Sequence, residues 1–595
     1  MQNTEISQIL MEISEHLAMQ GENVFKVKAF EKAAQGIREM EIELADIYKE
    51  KGLNGLEEIP GVGPSIAGEI EELIKTGKSK YYEKLKKKAP VDVGELMKVE
   101  GLGPKGIQKL YEELDITNLE ELTEAAKTGK IGKLKGFGKK SEEKVLRGIE
   151  FLKKSGGRFL LGQATPQVEE IENHLKKIKE VQRVIAAGSF RRRKETVGDV
   201  DFLVTSSKPE VVINTFTTLQ DIIEVMAKGE TRAAIKLKSG LNVDLRVVPE
   251  ESYGAALNYF TGSKEHNIAL RQIAISKGYK LNEYGLYDGE KRIAGKTEEE
   301  IYEALGLRYI EPELREAIDA VEASLRQAQG KLPGLPKLVD YNDLKGDLQI
   351  QTTWSDGTSS IEEMAREAIK IGLEYILITD HTKRLAMTKG LDEKRILLQM
   401  TEIDEINKKF QAEGLKFKIL KGSECDILKD GSLDLPDNVL EKLDIVGVSV
   451  HSFFNLSREE QTARVIKAIR NPNADIFFHP TGRLINKRPA IDLDIEEIIK
   501  TAKETGTVME IDAFYDRLDL KDDYIRMCVN AGVKLSIDSD AHSLSHFSML
   551  EYGIAQARRG WAERKDIINC WPLEKMLSML KDYGSSKSES ATKIH

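Results

Sequence analysis

The sequence predicts a multidomain α+β protein, and three observations carry that reading. A Gly-x-Gly turn followed by a helical pattern recurs three times within residues 59–140. Near residue 160 strand-like runs begin to mix with helices. Beyond residue 344 apolar strands and helices alternate up to about residue 575, the pattern of a parallel barrel. A chain of 595 residues is too long for one core, and at roughly 150 residues per domain about four units are expected.

Composition narrows the class. No apolar run approaches the roughly 20 residues of a membrane span. Met1 to Gln20 carries acids among its apolar residues, which is unlike a signal peptide. The three cysteines, Cys425, Cys528 and Cys570, form no CxxC pair and no even framework, as in a reducing compartment. A cytoplasmic protein without membrane contact is expected. The net charge of −10 argues globally against nucleic acid, but phosphate contacts are local. Lys127 to Arg158 is basic, with Lys130, Lys133, Lys135, Lys139, Lys140, Lys144, Arg147, Lys153 and Lys154. Alone, such a run is as well read as a solvated helix face.

The first 90 residues read as helices, with Ile6, Ile9, Leu10, Ile13 and Leu17 at helical spacing and a second helix over Phe25 to Met40. The repeated turns are Gly61-Val62-Gly63, Gly101-Leu102-Gly103 and Gly136-Phe137-Gly138. Glycine permits the tight turn, and the helix start that follows turns amides toward phosphate oxygens. A hairpin of this kind grips a nucleic-acid backbone without reading bases. One copy could be a plain helix cap; three make a helix–hairpin–helix array.

From residue 160 the runs Val181–Ala187, Val200–Thr205, Ala233–Leu237 and Leu241–Val248 read as strands, with a helix over Gln167–Ile178. Gly188-Ser189-Phe190-Arg191-Arg192-Arg193 precedes Gly198-Asp199-Val200-Asp201. Two aspartates at i and i+2 on a strand share one face and can share two hard cations. Asp244, on a nearby strand, supplies a third carboxylate. Gly188 and Ser189 would turn amides and a hydroxyl toward a triphosphate, and Arg192 would add charge. A lone Asp-x-Asp carries little, but this combination in this order describes a nucleotidyltransferase.

Here the chain resembles the family X DNA polymerases. The run from Gly188 to Leu203 is similar to their catalytic motif without a gap, as are Tyr259-Phe260-Thr261-Gly262-Ser263 with Asn267 and Arg271, and the first two hairpins. The resemblance covers residues 1 to about 320. It implies that Asp199, Asp201 and Asp244 hold two Mg²⁺ or Mn²⁺ ions. It also implies that Arg158, Gly188, Ser189, Arg192, Gly198, Tyr259, Phe260, Gly262 and Asn267 bind the incoming dNTP. Arg271 joins Gly61, Gly63, Gly101, Gly103, Gly136 and Gly138 on DNA. Where some members carry a Schiff-base lysine, this chain has Glu69, so lyase activity by that route is expected to be weak or absent.

In the C-terminal half, Tyr375–Ile378, Phe417–Leu420, Ile445–Val448, Ile476–Phe478, Val508–Ile511 and Lys534–Ile537 read as strands. Asp356, His381, Glu424, His451, His479, Asp540 and His542 collect at their ends, the donor set of a Zn²⁺ or Mn²⁺ cluster. This half resembles the polymerase and histidinol phosphatase (PHP) domain, which implies a distorted (β/α)7 TIM-like barrel with three metals acting as a 3′–5′ exonuclease or phosphodiesterase. Arg483 and Arg517 sit in family-like contexts for substrate phosphate. The opening His-x-His of that family is replaced by Gln349 and Gln351. An amide is a poor substitute for imidazole, so incomplete metal occupancy and an impaired nuclease are expected.

The expected organisation is a helical domain with its hairpin (1–90), fingers with two hairpin-like repeats (91–155), palm (156–250), thumb (251–328), linker (329–343, within the Pro/Gly-bearing Leu332–Leu344), PHP domain (344–577) and disordered tail (578–595). The expected function is a monomeric, template-directed DNA polymerase filling short gaps in base-excision-type repair. Its partners would be gapped or primer-template DNA and dNTPs. The competing readings are a metal-dependent DNA nuclease or AP endonuclease whose polymerase half mainly positions DNA, and a non-catalytic DNA-binding scaffold.

Overall fold

The structure, a computed structural model, describes residues 1–580 apart from positions 2, 39, 41, 42, 60, 98, 100, 101, 156, 317 and 332. The side chains of a few further residues, Lys153 and Lys154 among them, are also outside the description. The expectations for Gly101 and for 581–595 in the tail therefore lie outside the described residues; 573–580 are helical, with Met576 and Leu580 buried. The chain forms two compact units, residues 1–156 with 486–489, and residues 157–485 with 490–595.

The first unit is helical. Ile6, Leu10, Ile13 and Leu17 fall on one stripe of the helix Asn3–Met19 and are fully buried against Phe30, Ala33, Ala34 and Ile37 of Val24–Arg38. The hairpin repeat is visible in the backbone. Val62 N–H donates to the Ile59 carbonyl at 3.0 Å, Leu102 to Val99 at 3.1 Å and Phe137 to Leu134 at 3.1 Å. Gly61 (φ 85°) and Gly136 (φ 93°) make the turn in the left-handed region. Gly63 and Gly103 then cap the helices Pro64–Thr76 and Pro104–Leu114 with extended backbone, and proline takes the first helical position, where no N–H is needed. The third repeat departs from this plan. It is entered from a 3-10 turn, Ile131–Lys133, rather than a full helix, and Gly138 before Lys139–Ser155 keeps a positive φ of 83°.

The second unit begins with a five-stranded mixed sheet. Its spatial order is Val181–Ala186, Asp199–Ser206, Asn242–Val248, Arg232–Leu237, Ile222–Lys228. The outermost strand, Ile222–Lys228, escapes sequence reading because it is exposed along nearly its whole length and so shows no burial alternation. The helix expected over Gln167–Ile178 starts earlier, at Leu161, and runs to Lys176 with Pro166 inside its first turns. Tyr253–Thr261 and Lys264–Ser276 lead into a small antiparallel sheet, Tyr279–Asn282, Gly285–Asp288 and Lys291–Ala294.

The barrel has seven parallel strands in sequential order: Gly346–Ile350, Tyr375–Ile378, Lys418–Asp426, Ile445–Ser449, Ile476–Phe477, Val508–Asp512 and Leu535–Asp538. An Ile350–Ala541 bridge joins the last strand's end to the first. The first strand went unread because its pattern alternates polar and apolar residues, yet all five are buried: on a barrel strand both faces are covered. The expected linker is not free coil. Val339 N–H donates to the Ala562 carbonyl at 3.0 Å, and Leu338 bridges to Glu563.

Sheet and barrel share a core. Leu518 and Tyr552 of the barrel are buried in one apolar cluster with Leu161, Val197 and Val200. Gly162 lies so close to Tyr515 that a Cβ would come within 2.5 Å of the ring. Inside the barrel the tightest approach is at Gly447, where a Cβ would sit 1.8 Å from the Phe478 ring. Gly447→Ala must displace that fully buried phenylalanine, and is expected to lower stability by about 1–3 kcal/mol, read as an earlier urea midpoint.

Candidate active site

The palm-like sheet brings the three aspartates together. Asp199–Ser206 pairs in parallel with Asn242–Val248, with Asp201 directly beside Asp244 and Asp199 beside Asn242. Residues alternate faces along a strand, so all three carboxylates lie on one side of the sheet. Asp199 is exposed, while Asp201 and Asp244 are half-buried. Burial first, then Asp199 and Asp244, push the Asp201 carboxyl up to about 6 against the pull of Arg246 and Arg192. Asp244 Oδ1 is held 3.0 Å from the exposed Arg232.

Across from the triad, the helical turn Gly188–Arg191 starts at Gly188 with φ 63°, and a Cβ there would meet Asp201 Oδ2 at 2.8 Å. Glycine serves here for both backbone and space. A cavity of about 940 Å³ opens over this turn, and Arg158, Gly188, Ser189, Arg192, Asp199, Asp201, Tyr259, Phe260, Gly262, Asn267 and Arg271 all line it. Gly198 is not among the lining residues but packs on one of them: a Cβ there would be 3.0 Å from Arg158 Nη1. Arg158 is steadied by Thr196, donating from Nε to Oγ1 at 2.9 Å and from Nη2 to the carbonyl at 2.7 Å. Tyr259 and Phe260 meet edge to face with centroids 5.1 Å apart, with Arg271 over Tyr259 and Arg246 over Phe260. Asn267 Nδ2 donates to the Tyr259 carbonyl at 2.7 Å. Arg192 donates from Nε to Glu316 Oε1 at 2.6 Å and from Nη1 to the Thr261 carbonyl.

The barrel gathers the second set at the C-terminal ends of its strands. Glu424 is its centre: His451 Nε2 lies 2.9 Å and His479 Nε2 2.7 Å from Oε1, and His381 Nδ1 3.3 Å from Oε2. Burial raises the Glu424 carboxyl, but His381, His451 and His479 outweigh it and hold it well below its usual range. Despite its burial, His451 is in turn lifted to about 9, mainly by Glu424. Among the described residues two groups bring their ligand atoms within 4.8 Å of one another: Asp356 with His381 and His542, and His381 with Glu424 and His451. The palm triad does not close as tightly. Asp540 stands 3.9 Å from His542 and 3.7 Å from Arg517.

The corner with the two glutamines is different. Gln351 Nε2 donates to Glu424 Oε2 at 2.9 Å. Gln349, with its amide nitrogen facing Glu510, donates to Oε1 at 2.5 Å. Amide hydrogens thus occupy the carboxylate lone pairs, and the donor chemistry does not suit a cation there. The other two groups do fit one: His381 Nδ1 is a buried ring nitrogen without a hydrogen-bond partner, and neutral imidazole with carboxylate is a borderline-metal ligand set.

Matches to family models follow the same divisions. Residues 164–250 match the DNA polymerase beta palm, 256–316 its thumb and 347–512 the PHP domain. Residues 1–79 match a helix-hairpin-helix domain, and 53–115 and 93–150 a SAM-like helix-hairpin-helix tandem. The DNA polymerase/3'-5' exonuclease PolX of Bacillus subtilis (strain 168) is 38% identical over 586 residues, which cover 98% of this chain and 100% of that one. The chain belongs to the PolX family of DNA polymerases. A probable phosphatase of Thermoanaerobacter sp. (strain X514) is 37% identical over 194 residues, which cover 31% of this chain and 73% of that protein. A Leishmania infantum polymerase beta ternary complex aligns with 24% identity and TM-score 0.26 over 38% of this chain and 97% of that one.

In this PolX chain both arginines expected near substrate phosphate, Arg483 and Arg517, are engaged by carboxylates. The Arg483 guanidinium forks onto Glu195 of the palm at 2.7 and 3.2 Å. Arg517 faces the barrel site but is already paired with Asp512 at 3.3 Å. Lys194, Thr196 and Lys264 also line the palm cavity, and their adjacency to the arginine run and to Gly262-Ser263 was the available signal. Glu316, Glu510 and Asp512 had none, since each reaches its partner only through the fold. Gly188→Ala would force a side chain into the left-handed region against Asp201, at a cost of about 1 kcal/mol or more. A lower melting temperature is the expected result.

Proposed function

We propose that this chain extends a DNA primer along a template by two-metal nucleotidyl transfer. The fill-in of short gaps in base-excision-type repair, by a cytoplasmic monomer, is the role that suits it. The observation that carries the reading is the parallel register of Asp201 against Asp244, which sets three carboxylates on one face beside a cavity lined by Ser189, Arg192 and Arg158. Asp199, Asp201 and Asp244 are assigned as the ligands of Mg²⁺ or Mn²⁺. Metal bound there would acidify the primer 3′-hydroxyl and stabilise the leaving pyrophosphate. Ser189, the Gly188 turn, Gly198, Arg192 and Arg158 take the triphosphate of a dNTP. Tyr259, Phe260 and Gly262 hold its sugar, and Asn267 and Arg271 its base and the template. The hairpins at Gly61–Gly63, Gly101–Gly103 and Gly136–Gly138 take the DNA backbone through their helix starts. The DNA polymerase activity in the name of the Bacillus subtilis relative supports the same assignment.

A second activity, 3′–5′ exonuclease or phosphodiesterase, is supported by the convergence of His381, His451, His542, Asp356 and Glu424, with His479 and Asp540 at their edge. Gln349 and Gln351 leave one corner of that site without imidazole, so Zn²⁺ or Mn²⁺ is assigned to incomplete occupancy and the cutting rate to a low value. Lyase chemistry is not assigned. Glu69 accepts the Ser79 hydroxyl at 2.7 Å, and a carboxylate cannot form a Schiff base.

Asp201→Ala should abolish primer extension in Mg²⁺ or Mn²⁺ while binding of gapped DNA persists; extension that survives would remove the polymerase assignment. Gln349→His with Gln351→His should raise the metal content of the purified protein by about one equivalent and speed shortening of an end-labelled strand in Mn²⁺ by about 10-fold or more, the scale of lost metal-site groups. Unchanged metal content would mean the two glutamines are not what limits the barrel.

A further inference from the structure

The segment that carries Arg192 is held from the barrel. Arg193 is paired with Glu551 at 2.6 Å, and Glu195 accepts both Arg483 and Gln556, the latter at 2.8 Å. Arg559, on the buried helix Leu550–Arg559, donates from Nη1 to the Arg192 carbonyl at 3.2 Å. The same nitrogen lies 3.8 Å from Glu316 Oε1, the oxygen that accepts Arg192 Nε. Glu316 therefore faces three cations, Arg192 at 2.6 Å, Lys194 at 3.1 Å and Arg559. Of these, the Arg559 side chain is only 5% exposed and is fixed at its other end by Asp522.

We propose that Arg559 is a positioning residue of the polymerase pocket, through which the barrel fixes Glu316 and thereby aims the Arg192 guanidinium at the dNTP triphosphate. The inference rests on the polymerase reading above. A guanidinium has five N–H donors in a rigid plane. With Nε on Glu316 and one Nη1 donor on the Thr261 carbonyl, the plane of Arg192 is set before any nucleotide enters, which is the condition for tight phosphate recognition without reorganisation. Glu316 alone would not hold that plane, because its own position is set by the cations around it. Among them only Arg559 reaches it from the barrel, and Arg559 grips the backbone of Arg192 as well.

The test is steady-state primer extension by the full chain, with KM for the dNTP and kcat measured separately. Arg559→Ala should raise KM about 10-fold and change kcat by less than about 2-fold, the pattern of lost substrate binding rather than lost chemistry. Arg559→Lys should recover part of the loss. In a Glu316→Ala background the same replacement should add less than about 2-fold, because partners in one network are not additive. Equal effects of Arg559→Ala in both backgrounds, or an unchanged KM, would overturn the proposal. If Arg559→Ala does not fold, Glu316→Gln carries the test: KM should rise by a similar factor, and an unchanged KM would overturn the proposal equally. No extension by the unaltered chain would instead remove the polymerase reading, and this inference with it.

Discussion

The parallel pairing of Asp199–Ser206 with Asn242–Val248 is the constraint around which the polymerase half is arranged. It sets three carboxylates on one sheet face, two of them half-buried, where like charges repel and water is short. The surroundings answer that charge. Arg246 and Arg192 act on Asp201, Arg232 pairs with Asp244, and residue 188 must be glycine to leave room for the Asp201 carboxylate.

The barrel meets the same electrostatic problem with other means. Glu424 is wholly buried, yet three imidazoles hold it ionised. Gln349 and Gln351 donate from neutral amides to Glu510 and Glu424 respectively. Burial first, then the neighbouring Asp538 and Asp512, push the Glu510 carboxyl well above its usual range.

Palm and barrel share apolar core through Leu518 and Tyr552 and a set of buried ion pairs. Such pairs contribute little net stability, since desolvation offsets their attraction, but breaking one partner leaves an isolated charge. Their consequence is geometric: Glu195, Arg193 and Glu316, which neighbour the cavity-lining Arg192 and Lys194, are paired with residues several hundred positions later in the chain.

Short spacings and periodicity were legible in the sequence. Asp199 and Asp201 share a face because strands alternate; the hairpins declare themselves by glycine followed by a helix start; the barrel's histidines and carboxylates sit where apolar runs end. The exposed strand Ile222–Lys228 and the buried strand Gly346–Ile350 were missed for opposite reasons, one having no buried face and the other burying its polar residues too. The sequence by itself determined which residue types could do the chemistry, since that depends on local motif and donor identity. The tertiary structure alone decided that Arg483 would pair with Glu195, that Arg192 would donate to Glu316, and that the glutamines would donate to carboxylates. Each of these depends on partners brought together by register and packing, and no spacing along the chain encodes that distance.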